Sequence, residues 1–250
     1  MESRMYEEMA RFQDRHWYFV GMREIVLSLF GGMEVGSAPQ ILDIGCGTGQ
    51  FTPVLLRWGR VVGIDISPQA MRLNLEKLNP DSILVWGNAQ SLPFRNGNFD
   101  LVWATSILEH LKEDKTALQE IVRVLKPRGR AVITVPAHHF LWGHNDELAH
   151  HQRRYSQVEL ENLCQECRLK ILRSTYYGAT LFPPALVVRK VKNRLSRVFP
   201  KLKEITDFRL ASFPFFNRLF LAVLRLENQG LKKVHPPFGM MLFLLAEKKA

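Results

Sequence analysis

At 250 residues, with 46% hydrophobic and 23% charged side chains, the chain suits one large domain or a domain with insertions around a substantial core. Its three cysteines, Cys46, Cys164 and Cys167, exclude a disulfide-stapled scaffold, and no apolar run approaches the ~18 residues of a conventional membrane span. The net charge of +10 implies attraction to something anionic: nucleic acid, a lipid surface or a phosphorylated substrate.

In chain order, residues 4–30 read as helix, because Met5, Met9, Phe12, His16 and Phe19 recur on one face. Glu2, Glu7 and Glu8 at the N-terminus do not fit a signal peptide. From Gln40 strands and helices alternate: strand 40–45, helix 50–58, strand 60–66, helix 68–78, strand 82–87, strand 99–105, helix 114–125 and strand 130–135. Lys126-Pro127-Arg128-Gly129 reads as a helix stop and turn. Near-continuous apolar strands in this rhythm predict a parallel sheet covered on both faces. After Pro136 a loop rich in histidine and aromatics runs to Tyr155, and Ser156-Gln157-Val158-Glu159 fits a capping box opening a helix to Cys167. Residues 169–177 read as a strand, 178–236 as an apolar and basic insertion broken by prolines, and 238–246 as a last strand. Cys164-x-x-Cys167 falls within the helix without a second pair, so both read as small buried residues rather than a redox or metal motif.

The stretch Leu42-Asp43-Ile44-Gly45-Cys46-Gly47-Thr48-Gly49 carries the most functional information. A buried strand runs into three glycines at alternate positions and then a helix, which brings backbone N–H groups beside a nucleotide-like ligand. The dinucleotide fingerprint wants its third glycine one position later. Twenty residues after Gly45, the second strand delivers Asp65, a carboxylate able to accept both ribose hydroxyls or, alternatively, to cap the helix at Ser67-Pro68.

With Asn88-Ala89-Gln90-Ser91-Leu92-Pro93-Phe94 and the stretch Phe99 to Leu111, ending Leu108-Glu109-His110-Leu111, the chain resembles the class I S-adenosylmethionine-dependent methyltransferases over residues 38–136. The resemblance implies a Rossmann-like α/β fold, with a seven-stranded, mostly parallel sheet, an antiparallel last strand and helices on both faces. It implies that S-adenosyl-L-methionine is held by Asp43, Gly45, Cys46, Gly47 and Gly49, by Asp65 and Ile66, by Asn88, Ala89 and Gln90, and by Thr105. Asn88 stands where the family usually has aspartate, and its carbonyl can still accept the adenine amino hydrogen bond. The flanks Arg15 to Phe19 and Trp142 to Tyr155 resemble a subgroup of bacterial enzymes linked to glycan or lipid modification. Trp17 then either covers the cofactor or buries the N-terminal helix. Arg23 either forks onto the methionine carboxylate or remains a solvated charge.

In-line methyl transfer needs no metal, and an oxygen acceptor is helped by a base near neutrality. The candidates are His110 after the fourth strand, His139 after the fifth, and His151 in the loop. His138, His139, His144, His150 and His151 lack a metal-ligand spacing, so no metal site is expected. Between Arg189 and Lys203 there are basic residues and no acids, with Val188, Val191, Leu195 and Val198 at helical spacing. That pattern fits either an interfacial helix on an anionic membrane or a basic helix packed on the domain by its stripe. Nucleic acid is disfavoured, because Ala104-Thr105-Ser106-Ile107 replaces the Asn/Asp-Pro-Pro-aromatic motif of nucleic-acid amino-methyltransferases.

The expected organisation is a helical cap (1–37), a methyltransferase domain (38–177 and 237–250), and an acceptor-side or membrane-facing insertion (178–236). The expected activity is methylation, favouring oxygen, of a small-molecule, glycan or lipid-linked acceptor. The expected setting is reducing and cytoplasmic, with docking on the inner membrane face. The rivals are a nucleotide-dependent oxidoreductase and a non-catalytic adapter that docks on membranes.

Overall fold

The computed structural model describes residues 3–31, 36–76, 83–195, 214–231 and 233–249. The expected N-terminal helix is two helices, α1 (Ser3–Phe12) and α2 (Trp17–Phe30). The break falls where His16 turns its side chain back to accept the Tyr18 backbone N–H, capping α2. There follow β1 (Gln40–Ile44), α3 (Thr52–Leu55), β2 (Arg60–Asp65), α4 (Pro68–Leu75), β3 (Ile83–Trp86) and β4 (Phe99–Thr105). Next come α5 (Asp114–Val124), β5 (Leu125–Pro136), α6 (His144–Leu148), α7 (Gln157–Glu166) and β6 (Leu169–Tyr177). Helices α8 (Phe182–Leu195) and α9 (Pro214–Leu231) and strand β7 (Met241–Lys248) complete the described elements.

The sheet has the order β3-β2-β1-β4-β5-β7-β6. β1, β2, β3, β4 and β5 pair in parallel, and β7 runs antiparallel to both β5 and β6. The Rossmann-like architecture expected from the sequence is therefore present. Strand order reverses between β1 and β4, and such a switch point opens a crevice at the carboxyl ends of the strands. One face of the sheet buries Leu118, Ile121 and Leu160 from α5 and α7. The other buries Ile25, Leu29, Trp103 and Leu224, with α9 lying along α2. Gly21 permits that approach, since a Cβ there would press on the Leu224 side chain.

Several boundaries differ from the sequence reading: the last strand is Met241–Lys248 rather than 238–246, and α4 ends at Leu75 rather than 78. β5 begins at Leu125 rather than 130, and Lys126-Pro127-Arg128-Gly129 is a bulge within it. Pairing jumps from Phe99–Leu125 to Leu101–Arg130 while Lys126 Nζ meets the Asp100 carboxylate at 2.8 Å, so Pro127 needs no ladder donor. Helix α3 is one turn, because the chain then turns to stack Trp58 on Phe30, ring centroids 5.0 Å apart. The loop after Pro136 contains α6. The capping box opening α7 forms as expected, and Cys164 and Cys167 are buried, as free thiols.

On α8, Val188, Val191 and Leu195 are each about half exposed, and Val188 also lines the cavity described below. Residues 196–203, including Val198, lie outside the described residues. No described helix is long and apolar enough to cross a membrane.

Candidate active site

The crevice is built in two halves. On one side, β1 ends in the glycine turn, where Gly45, Gly47 and Gly49 have φ of 68°, 51° and 79°, in the left-handed region that favours glycine. A Cβ added at Gly47 would meet nothing nearer than the Gly45 carbonyl at 3.7 Å, so the space over the turn is open. Asp65, at the end of β2, accepts the Gly47 N–H at 2.9 Å and the Ser67 N–H at 2.8 Å. It thus performs the local turn role as well as standing beside the glycines, while Ser67 itself caps α4. Burial pushes the Asp65 carboxyl upward, against the pull of those N–H groups. Asp43 is buried beneath the turn, accepts the Thr52 hydroxyl at 2.6 Å, and is pushed up to about 7 by burial. Gln13, fully buried after α1, donates to the Thr48 carbonyl at 3.0 Å and accepts the Thr48 hydroxyl, tying the N-terminal segment to the turn.

On the other side lies a cavity of about 480 Å3. Its walls are largely apolar: Trp17, Met22, Phe51, Leu141, Tyr177, Phe182 and Phe220. Thr105, Ser106, Glu109, His110, Asp146, His151 and Arg154 supply a polar patch. Ser106, just after β4, holds a left-handed φ of 52° while donating its N–H to the Thr134 carbonyl. A strained residue fixed by a backbone bond at a strand end is typical of a working crevice.

The polar patch joins segments distant in sequence. The Gln152 N–H donates to the Glu109 carbonyl at 2.6 Å, which brings the His110 and His151 rings edge to face with centroids 4.7 Å apart. His151 Nδ1 bonds Asp146 at 2.8 Å. Asp146, 1% exposed, also receives Arg154 at 2.9 Å. Against the upward push of burial, the His151 bond and the Arg154 charge hold Asp146 below the usual carboxylate range. Burial drives His110 down to about 3, so its ring stays neutral. Glu109, 1% exposed, is pushed up to about 7, chiefly by burial.

The family described as methyltransferase domain matches residues 42–133, spanning the glycine turn, Asp65 and the start of the polar patch. Over those residues the chain is similar to methyltransferases. The chain is 37% identical over 127 residues to the demethylmenaquinone methyltransferase of Lactiplantibacillus plantarum, covering 47% of this chain and 50% of the relative. It is 32% identical over 112 residues to the 2-methyl-6-phytyl-1,4-hydroquinone methyltransferase of Synechocystis, covering 43% and 35%. The chain thus spans half or less of these relatives' length. Among solved structures, its fold is similar to that of an S-adenosylmethionine-dependent methyltransferase from Mesorhizobium loti, with a TM-score of 0.59, 13% identity and coverage of 94% and 100%. It is also similar to phosphoethanolamine N-methyltransferase 2 of Haemonchus contortus in complex with S-adenosyl-L-methionine, with a TM-score of 0.58, 19% identity and coverage of 92% and 52%.

S-adenosylmethionine is the cofactor that the sequence resemblance implies. The residues present fit it: the space over Gly47 is open, and it is flanked by an acid at the end of the second strand. Around that turn, Cys46 is buried and inert, its thiol pushed up by burial. Ile66 is exposed beside Asp65, its carbonyl accepting the Trp86 indole N–H. Asn88 is exposed and accepts the Gln90 N–H at 2.9 Å; Ala89 is buried, and the Gln90 side chain donates to the Glu113 carbonyl. Trp17 is in the cavity wall against Phe220, ring centroids 5.2 Å apart. Arg23 reaches the Gln50 carbonyl at the end of the glycine turn and lies 3.7 Å from Asp14.

The structure separates the histidine candidates. His110 and His151 meet in the cavity, whereas His139 is exposed and bonds Glu159 at 2.8 Å, outside it. Sequence reasoning passed over Gln13, Glu109, Asp146 and Arg154. Glu109 sits in the quoted Leu108-Glu109-His110 motif, and an acid directly after an apolar pair was the available signal for it.

Proposed function

We propose that the chain transfers a methyl group from S-adenosylmethionine to an oxygen of a small, largely apolar acceptor, lipid-linked or isoprenoid-like. The carrying observation is the cavity itself: apolar walls, a polar patch beside β4, and a mouth where Val188 and Phe216 are both lining and about half exposed. A site of this size and lining holds a drug-sized apolar molecule and orients it by a few polar groups. The quinone and hydroquinone methyltransferases among the relatives support an acceptor of that chemistry.

When bound, S-adenosylmethionine supplies a methyl group activated on a positive sulfur. In this reading the glycine-turn backbone and Asp65 hold the nucleoside, Ile66 and Asn88 to Gln90 flank the base, and Arg23 takes the carboxylate. Trp17 and Phe220 clamp the apolar body of the acceptor, so that its oxygen is held in line, the largest contribution such a site makes. His151, its Nδ1 held by Asp146, has Nε2 left to take the acceptor proton. Neutral His110 adds a polar contact without a repelling charge.

The test is turnover with labelled S-adenosylmethionine and a panel of a demethylmenaquinol, a polyprenylated phenol and a nucleotide sugar. Product NMR should show a methyl ether on an isoprenoid phenol. A new carbon–methyl bond overturns the oxygen assignment, and no turnover with any member favours the adapter.

Exposed Val187, Val191, Leu195, Phe215 and Leu219 stand near that mouth on α8 and α9, with Lys190 and Arg194 among them. This apolar and basic surface supports delivery of the acceptor from an anionic membrane. Wild-type protein should float with anionic vesicles at low salt, and neutralising Arg189, Lys190, Lys192 and Arg194 together should abolish it. Wild type remaining at the bottom of the gradient removes the membrane from the proposal.

A further inference from the structure

We propose that Glu109, His110 and His151 form a binding site for a divalent first-row cation, such as zinc, cobalt or manganese, at the polar patch of the cavity. One donor atom from each of the three lies within 4.8 Å of the others. Around a cation bound at ~2.0–2.2 Å, donor atoms are at most about 4.4 Å apart, so the cluster closes onto a metal with side-chain shifts below about 1 Å. Two imidazoles and a carboxylate on one side of a cavity are a donor set that such ions accept, with coordination positions left open to the cavity.

Two further observations point to a ligand here. Glu109 Oε2 is buried and has no hydrogen-bond partner among the described residues, although it lines the cavity. A buried carboxylate oxygen left unpaired is costly, and a cation resolves it. The His151 imidazole also has one ring nitrogen already engaged, Nδ1 by Asp146. Such outer hydrogen bonds fix the tautomer that presents a lone pair to a metal. Arg154 neutralises Asp146 behind the cluster, so the Glu109 charge remains to balance the cation. The sequence offered no such site because its histidines were weighed along one loop, whereas this cluster joins the residues after β4 to the loop after α6.

A cation here would lower the pKa of an acceptor hydroxyl bound to it. That consequence rests on the oxygen-acceptor reading above. With the cation bound it replaces His151 as the means of removing the acceptor proton, since the free ring nitrogen of His151 is then a ligand. Binding of the cation does not rest on that reading. The experiment is therefore a titration of tag-free, chelator-treated protein with cobalt(II), read by its visible absorption, and with zinc by competition against a chromophoric chelator. One equivalent should bind, without the thiolate charge-transfer band that capture by cysteine would give. Glu109→Gln and His151→Ala should abolish the signal, and Asp146→Asn should weaken binding by about 10–100-fold. Circular dichroism and unchanged S-adenosylhomocysteine affinity report folding; if His151→Ala misfolds, the near-isosteric Glu109→Gln decides. No stoichiometric cobalt or zinc binding, or binding unchanged in a folded Glu109→Gln, overturns the site even if methyl transfer is found. Metal binding without methyl transfer leaves the site standing and overturns only the proposed reaction.

Discussion

The two halves of the crevice are made differently. The cofactor half is local: Asp65 binds the N–H groups of Gly47 and Ser67, and Asp43 binds Thr52 nine residues on. The half proposed to take the acceptor is assembled from β4, β5, the loop after α6, and helices α2, α8 and α9. In the cofactor half Asp65, Asp43 and Gln13 are tied to the turn, while Asn74 Oδ1 beside Gly49 is buried without a partner among the described residues. In the acceptor half, Glu109 Oε2 and the indole nitrogen of Trp17 are buried without a partner among the described residues. The difference is where these atoms lie: Glu109 and Trp17 line the cavity and are placed to be met by what enters it, whereas Asn74 does not line it.

The largest effect should come from breaking the framework of the acceptor half. Asp146→Ala leaves the buried Arg154 guanidinium without its carboxylate, and should lower stability by about 3–5 kcal/mol in chemical denaturation. A loss below about 1 kcal/mol means that Arg154 finds another partner and the two halves are less distinct than they look. In the cofactor half, Asp65→Ala should weaken S-adenosylhomocysteine binding by roughly 1.5–3 kcal/mol in calorimetry. Unchanged affinity refutes the ribose role and leaves Asp65 as a turn residue only.

Asp43 gives a pH signature confined to the cofactor half. Its pKa in the fold, about 7, lies above the ordinary ~3.9 of an unfolded aspartate, because burial disfavours the charge. The folded state therefore holds this proton more tightly. Its stabilising effect is complete below about pH 4 and is lost as pH rises to about 7, at a slope of up to about 1.4 kcal/mol per pH unit. Asp43→Asn should remove that slope from the ligand-free protein, and a slope unchanged in the variant assigns it to other groups. Least in energy, and most useful for separating the halves, is Trp17→Phe. It should raise the acceptor KM by a few fold while leaving S-adenosylhomocysteine affinity within about twofold, since the ring is in the cavity wall. A matching loss of cofactor affinity would place Trp17 in both halves.

The same contrast explains what the sequence made legible. The glycine turn could be read because alternate glycines after an apolar strand have few other uses, and Asp65 follows at the distance one crossover requires. The parallel sheet followed from alternation of apolar runs and turn signals, and the antiparallel last strand from the family resemblance. Lys126-Pro127-Arg128-Gly129 was misread because a proline looks like a terminator, whereas a bulge against Asp100 needs no donor there. Glu109 and Asp146 were passed over because their importance lies in partners that only tertiary structure supplies. His139 shows the converse: it follows β5 in sequence, yet its side chain turns outward to Glu159.

The place of β7 carries a kinetic consequence. It is the last of the seven strands to be synthesised, yet it lies between β5 and β6. Until it emerges, β6 has no sheet partner, and the cavity lacks Met240 and Met241 from its wall. Strands β1 to β5 pair without it, so the glycine-turn half is free to take shape on the ribosome while the cavity half waits for β7 to emerge. A chain stalled there would carry a nucleotide cradle beside an open, apolar sheet edge, and that intermediate is the form most exposed to aggregation and to chaperone capture.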